Sequence, residues 1–313
     1  MAVTPAQIKE LREISGAGMT DCKKALDQTD GDIQKAVVIL REKGLASAAK
    51  KAGRIAAEGL VLALIADDGK SAAVVEVNCE TDFVAKTPEY RVFVENLATT
   101  VLKSNAKDVD AFIKESWNFS DDATVDDAIK TKIALYGENI GLRRFEKLTL
   151  DGAGFFQKYI HMEGKVAVVI QVASDVTNDA MLEAAKNACM QICVMRPLYV
   201  SNAEVDPGFL EQEKEIITTQ TKEQIEKDGK PKPEQVVQKM IDGKIAKRLK
   251  EICLLDQEYV KDESLTIGKY LEGVFKENEA SASVAKFAVF EKGEGIEKKV
   301  EDFAEEVNKA MNV

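Results

Sequence analysis

The sequence predicts an α+β protein, and three observations carry that prediction. Residues 4–44 read as three short amphipathic helices with no strand among them. From Gly59 onward, short β-branched apolar runs alternate with longer helical periods. One such unit, a hairpin followed by a helix, occurs twice. Gly69-Lys70-Ser71-Ala72-Ala73-Val74-Val75-Glu76-Val77 matches Gly164-Lys165-Val166-Ala167-Val168-Val169-Ile170-Gln171-Val172 at five of nine positions, and each copy then enters a helix. The expected organisation is a three-helix module with linker at 1–54 and a first core copy at 55–145. A second copy at 146–206 and 248–290 is interrupted by a helical-hairpin arm at 207–247, and a C-terminal helical module fills 291–313.

The elements follow from local signals. Thr4-Pro5-Ala6-Gln7 is a capping box with proline at the first helical position, and Ile8, Leu11 and Ile14 give the first apolar stripe. Gly16-Ala17-Gly18 stops it. A second helix starts at Thr20-Asp21, with Cys22, Ala25 and Leu26 inward. A third follows Asp30-Gly31-Asp32 and is expected to end at Lys43-Gly44. This layout, with Met19 in the first turn, resembles the ubiquitin-associated type of binding module. Ala46 to Glu58 is expected to be a separate helical linker with a basic, solvated face.

Leu60–Ile65 and Ala72–Val77 around Asp67-Asp68-Gly69-Lys70 make the first hairpin. Thr87 caps the next helix and Pro88 opens it. The polar stretch 103–127, holding the only tryptophan, Trp117, reads as one or two short helices and loops. A helix ends near Tyr136-Gly137 and a strand follows. After the second copy, a charged helical region begins at Pro207. It breaks at Asp228-Gly229-Lys230-Pro231 and resumes with the stripe Val237, Met240, Ile241, Ile245, Leu249 and Ile252. Such an arm packs on its own domain or meets a second chain. Ala285–Phe290 is a strand, and Ile296 to Met311 a last helix.

The totals exclude several classes. The chain has 313 residues, enough for two or three domains. Net charge is −11, which argues against a general nucleic-acid binder. No apolar run approaches the roughly 20 residues that span a bilayer, so no membrane association is expected. The N-terminus carries no apolar export segment, and the five cysteines are odd in number and widely spaced. Both point to a reducing, cytoplasmic setting. Cys189 and Cys193 lack the further ligands a metal site needs, and with one histidine in the chain they read as core. Gly16-Ala17-Gly18 lacks the third glycine and preceding strand of a dinucleotide fingerprint. Gly69-Lys70-Ser71 lacks the first glycine and following helix of a phosphate loop. No nucleophile–base pair emerges. No cofactor is expected, and an enzyme is the weaker reading beside a binding protein.

The stretch Glu76-Val77-Asn78-Cys79-Glu80-Thr81-Asp82-Phe83-Val84-Ala85-Lys86 needs its own account. Thr81 to Lys86 lies in a strand-to-helix connection that should be polar, yet carries Phe83 and Val84. Two readings are open: Phe83 folds back as core, or it is an apolar tip beside Asp82 presented to a partner. The second copy favours presentation. Its corresponding turn, Ala173-Ser174-Asp175-Val176-Thr177-Asn178, has no aromatic, so the repeated fold does not need one there.

Two long motifs then carry a family resemblance: Gly16-Ala17-Gly18-Met19-Thr20-Asp21-Cys22-Lys23-Lys24-Ala25-Leu26, and Glu76 through Ala85. Gly137-Glu138-Asn139-Ile140, Lys230-Pro231 and Gly293-Glu294-Gly295-Ile296-Glu297-Lys298 support it. Over nearly its whole length the chain resembles the elongation factor Ts family. The resemblance implies a guanine-nucleotide exchange factor for the GTPase elongation factor Tu, bound in its GDP-loaded and nucleotide-free forms. Thr81, Asp82, Phe83 and Val84 correspond to the tip that inserts into the GTPase and dislodges its magnesium. Tyr136 and Gly137, His161, Val260, Met19 and the last helix correspond to further contacts, and residues 207–247 to a dimerisation arm. Met162 and Glu163, after His161, and Lys261 depart from the family pattern; none touches the tip. An adaptor built on residues 1–45 alone is the remaining alternative, and deletion of those residues separates the two.

Overall fold

Two antiparallel three-stranded sheets packed face to face organise the molecule. The computed structural model describes residues 3–120, 123–229 and 232–297. In the first sheet β1 (Glu58–Ile65), β2 (Ser71–Cys79) and β3 (Gly141–Thr149) lie in the order β1-β2-β3. Chain order then gives β4 (Gly154–His161), β5 (Val166–Ser174), a small ladder of β6 (Glu258–Tyr259) with β7 (Asp262–Thr266), and β8 (Ala282–Glu291). The second sheet has the order β4-β5-β8.

Alternation along the strands explains the layering. On β1 and β2, Leu60, Ala73, Val75 and Val77 point to one face and enter a core with Tyr90, Phe93, Val94 and Leu97. Val61, Ala63, Ala72 and Val74 point to the other face. There they meet Phe156, Ala167, Val169, Ala288 and Phe290 of the second sheet. Both central strands are thus covered on both sides, which is why β2 and β5 read as nearly unbroken apolar runs. The outer face of the second sheet packs Val168, Ile170 and Val172 against Met181, Ala185, Ile192 and Leu271.

The two sheets correspond in detail. Each central strand carries an irregularity at the same repeat position, Glu76/Val77 in one and Gln171/Val172 in the other. Each first strand carries a glycine where a Cβ would collide with the neighbouring carbonyl. The approach would be 2.1 Å to Val77 O at Gly59 and 2.4 Å to Val172 O at Gly154.

The helices are α1 (Pro5–Ser15), α2 (Met19–Gln28), α3 (Ile33–Lys51), α4 (Asp82–Ala85), α5 (Pro88–Lys103), α6 (Val109–Phe112), α7 (Val125–Tyr136), α8 (Asp179–Met195), α9 (Pro207–Lys227), α10 (Glu234–Ile252) and α11 (Ile267–Glu277). The capping box at Thr4 and Gln7 forms, as do the caps at Asp32 and Thr87. α2 begins at Met19, one residue before Thr20, on a Gly18 cap that offers no side-chain bond.

One expectation is corrected. The third helix does not stop at Lys43-Gly44, and no separate linker helix follows. α3 runs unbroken to Lys51. The cost of a mid-helix glycine, roughly 1 kcal/mol, is offset by the alanine-rich turns beyond it. Gly44 also sits buried against the Lys130 carbonyl, where a Cβ would lie 3.6 Å away. Residues 52–57 then form the link to β1. α3 docks on α7 through Arg41, whose Nε donates to Asp127 Oδ1 at 2.9 Å.

The polar stretch 103–127 forms α6 and a bridge between Ser116 and Thr124, and buries Phe112 and Trp117. α9 and α10 form an antiparallel hairpin that turns Ile217, Ile225 and Ile241 inward. Arg248 Nε bonds Glu213 at 3.0 Å across it. Its second helix continues to Ile252. The expected helix Ile296 to Met311 lies outside the described residues beyond 297, and Lys230-Pro231 also lies outside them.

Candidate functional site

The connection from β2 to α5 is a rigid, capped projection. Thr81 caps the single turn α4, its Oγ1 accepting from the Val84 N–H at 3.4 Å. That turn divides the apolar residues. Val84 and Ala85 face inward and are buried, while Phe83 is 81% exposed. Of the two readings open for Phe83, the one that folds it back as core is excluded: the side chain stands in solvent. Beside it Asp82 pairs with Lys86 one turn on. That bond from Lys86 pulls the Asp82 carboxyl below its ordinary pKa, and the same bond raises Lys86.

Beneath the tip, a set of polar bonds ties three segments together. The backbone N–H groups of Glu80 and Thr81 donate to Glu138 Oε2 at 3.1 and 3.0 Å, and the Thr81 hydroxyl donates to Glu138 Oε1. In the other direction the Asn139 N–H donates to Glu80 Oε1, which also faces Arg54 at 3.5 Å. Asn139 Nδ2 donates to the Arg54 carbonyl at 2.8 Å. Gly137, the left-handed cap of α7 at φ 74°, turns the chain so that Glu138 reaches back to the tip. The Cys79 thiol donates to the Thr81 carbonyl at 3.1 Å, and burial pushes its pKa up to about 12.

Other residues named from the sequence are distributed as follows. Tyr136 is half-buried, its ring edge-on to Tyr90 at 6.3 Å and its hydroxyl 3.5 Å from Thr87 Oγ1, so it braces the start of α5. Gly137 is exposed. His161 ends β4, with Nδ1 3.0 Å from Tyr159 Oη. Met162 and Glu163 make the hairpin turn at φ 46° and 54°, the left-handed region that favours small residues, so a small residue is expected there and these two depart from the pattern against that preference. Glu163 pairs with Arg91 of α5 at 3.0 Å and lies near enough to Lys86 to contribute to its raised pKa. The turn beside His161 therefore flanks the tip. Met19 is exposed on α2, in the three-helix module. Val260 is exposed on the second half, its N–H held by Gln191 of α8 at 2.9 Å.

Sequence reasoning missed the bracket of Glu80, Arg54, Glu138 and Asn139. The available signal was an acid directly after a left-handed glycine cap.

A family model described as "Elongation factor TS" matches residues 80–294, most of the chain, with the Thr81–Val84 turn, Glu80, Glu138 and Asn139 inside the match and Arg54 outside it. The chain belongs to the elongation factor Ts family. Curated relatives named "Elongation factor Ts" agree along the full length. The relative from Clostridium novyi (strain NT) is 45% identical over 310 residues, covering 99% of each chain. That from Clostridium tetani (strain Massachusetts / E88) is 47% identical over 309 residues, again 99% of each. One from Clostridium botulinum (strain Alaska E43 / Type E3) is 48% identical over 309 residues with the same coverage. Family membership assigns the chain to the translation elongation factors and not to catalysts of covalent chemistry. Among the described residues no helix is long and apolar enough to cross a membrane.

Proposed function

We propose that the chain is a guanine-nucleotide exchange factor that binds elongation factor Tu in the cytoplasm. Its tip, Thr81 to Val84, enters the GTPase beside the nucleotide site, dislodges magnesium and speeds GDP release so that GTP can bind. The observation that carries this reading is Phe83, an exposed aromatic on a capped turn whose neighbours are all buried or bonded.

Exchange needs no acid, base or nucleophile. A GTPase holds its nucleotide through a phosphate-cradling loop, a lysine and magnesium. A partner that prefers the nucleotide-free form weakens nucleotide binding by the same factor, by reciprocity. Burying a phenylalanine side chain is worth roughly 1.5–3 kcal/mol, about ten- to a hundredfold. A larger acceleration requires additional contacts, and Tyr136, Gly137, His161, Val260, Met19 of the ubiquitin-associated-like module and the C-terminal module are the candidates. The α9–α10 arm, exposed along most of its length, is proposed to pair two copies of the chain through residues 207–247.

The test is release of labelled GDP from elongation factor Tu. Phe83→Ala is expected to slow stimulated release about ten- to a hundredfold while leaving the melting temperature nearly unchanged. A variant as fast as wild type sinks the wedge.

A further inference from the structure

A four-residue turn has almost no helical stability of its own, because nucleation costs more than one or two bonds return. α4 is such a turn, yet it has to hold Phe83 clear of the core. Its supports on the strand side are few. Thr81 caps it from within, and the Thr81 hydroxyl and the Glu80 and Thr81 N–H groups all converge on one carboxylate, that of Glu138. Glu138 therefore fixes both the backbone that enters the turn and the rotamer of the side chain that caps it. An ionised acceptor at unpaired N–H groups ahead of a helix is the strong form of that contact. The carboxylate in turn is aimed by Gly137, and the loop that carries it is locked from the far side by the Asn139 N–H on Glu80.

We infer that Glu138 is a positioning residue for nucleotide exchange: it sets the pose of the Thr81–Val84 tip in the free protein, so that Phe83 meets its partner pre-ordered. The inference rests on the exchange reading above. Glu138 acts through Thr81 and does not itself have to touch the partner. Its loss appears in the step the tip performs, while the other contacts still bring the two proteins together.

The experiment uses the full-length protein, with Glu138→Ala and Glu138→Gln beside wild type. GDP release from elongation factor Tu is followed over a range of concentrations, and amide hydrogen exchange is read in the free proteins. Glu138→Ala is expected to lower the plateau rate about tenfold, with the half-saturating concentration changing less than about threefold. Exchange at the Val84 to Thr87 amides is expected to quicken about tenfold or more, while β2 and β3 keep their protection. Glu138→Gln keeps an oxygen for the two N–H donors, and its plateau is expected to recover to within about threefold of wild type.

A Glu138→Ala plateau within twofold of wild type overturns the inference, as do unchanged amides at 84–87. Lost protection across β2 and β3 makes Glu138 a general fold residue and overturns it too. If wild type fails to accelerate GDP release, it is the exchange reading that has failed. The amide measurement then decides alone whether Glu138 holds the tip: quickened amides at 84–87 retain that role, and unchanged ones end it.

Discussion

Between Cys79, the last residue of β2, and the helix cap Thr87 lie seven residues; between Ser174, the last of β5, and the cap Asn178 lie three. The two halves otherwise share strand order, irregularity position and the clashing glycine. The difference has the length of α4, and it is where Phe83 is displayed. The second half closes its corner with Ser174, whose hydroxyl donates to the Val176 carbonyl and accepts from the Val176 N–H. A scaffold that closes with three residues does not need seven. The added turn is therefore free to serve a partner, and it requires its own support, which the loop after α7 supplies. A second contrast lies at the irregularity itself. Glu76 is fully buried and accepts from Arg143, Arg144, Asn78 and the Gly293 N–H. Its counterpart Gln171 makes one bond, to the Thr149 carbonyl at 3.3 Å, and its Oε1 has no donor among the described residues. The first half is thus the more heavily tied, at the tip and beneath it.

The largest effect is expected from making the halves alike. Replacing Glu80–Lys86 with the three residues Asp175–Thr177 should leave a folded protein, about 2 kcal/mol less stable for the lost burial of Val84 and Ala85. Stimulated GDP release should fall at least a hundredfold. Retained release with a shortened corner would break the comparison.

Next come the shared glycines. Gly59→Ala is expected to cost about 3 kcal/mol in urea unfolding and Gly154→Ala about 2 kcal/mol. Both drive a methyl into a carbonyl, and Gly59 additionally sits at φ 116°. A neutral result at either site would separate the halves where they now look alike.

The buried acid should then separate them. Glu76→Gln is expected to cost about 2 kcal/mol, since two arginines lose a charged acceptor, and Gln171→Leu under about 1 kcal/mol. Equal losses in urea midpoints would erase that contrast.

The repeat was legible in the sequence because a strand covered on both faces leaves an apolar run, and Val74–Val77 and Val168–Val172 are such runs. Caps were legible for the same reason of locality: Thr4, Asp32 and Thr87 act within three residues. What failed was also local in form but decided at a distance. Gly44 looked like a helix stop, yet α3 runs through it, with Gly44 buried against Lys130 of α7, a contact 86 residues away in the chain. That Phe83 stands clear of the core was legible from its place in a polar connection and from the second copy's lack of an aromatic. Its bracket was not found, because Glu138 meets Thr81 across 57 residues of chain, and the one local sign, an acid directly after the glycine that ends α7, does not say which segment it bonds. Face-to-face packing of the sheets was likewise beyond reach. The alternation of Val61 and Ala63 against Leu60 and Leu62 shows two apolar faces, but not what covers each.

The smallest effect concerns the three-helix module, which docks on the first half. Arg41 of α3 meets Asp127 of α7, whose carboxylate also accepts from the Thr124 N–H and hydroxyl. Burial alone would raise the Asp127 pKa; the bonds from Arg41 and Thr124 outweigh it and bring it to about 2. A carboxylate depressed on folding contributes stability in full above its unfolded pKa of roughly 4, and loses it as pH falls through the folded value. The hold of the module should therefore slacken between about pH 4 and about pH 2. Because Arg41 is half-exposed, Asp127→Asn at neutral pH should cost no more than about 1 kcal/mol. NMR titration of the Asp127 carboxyl checks the first point, with a midpoint near 2 expected. The second is checked by amide opening in α1–α3 compared with α8. In the variant, α1–α3 should open more readily while α8 is unmoved. Equal loosening of both would mean that Asp127 supports the whole fold, and the module would then be no separate attachment to the first half.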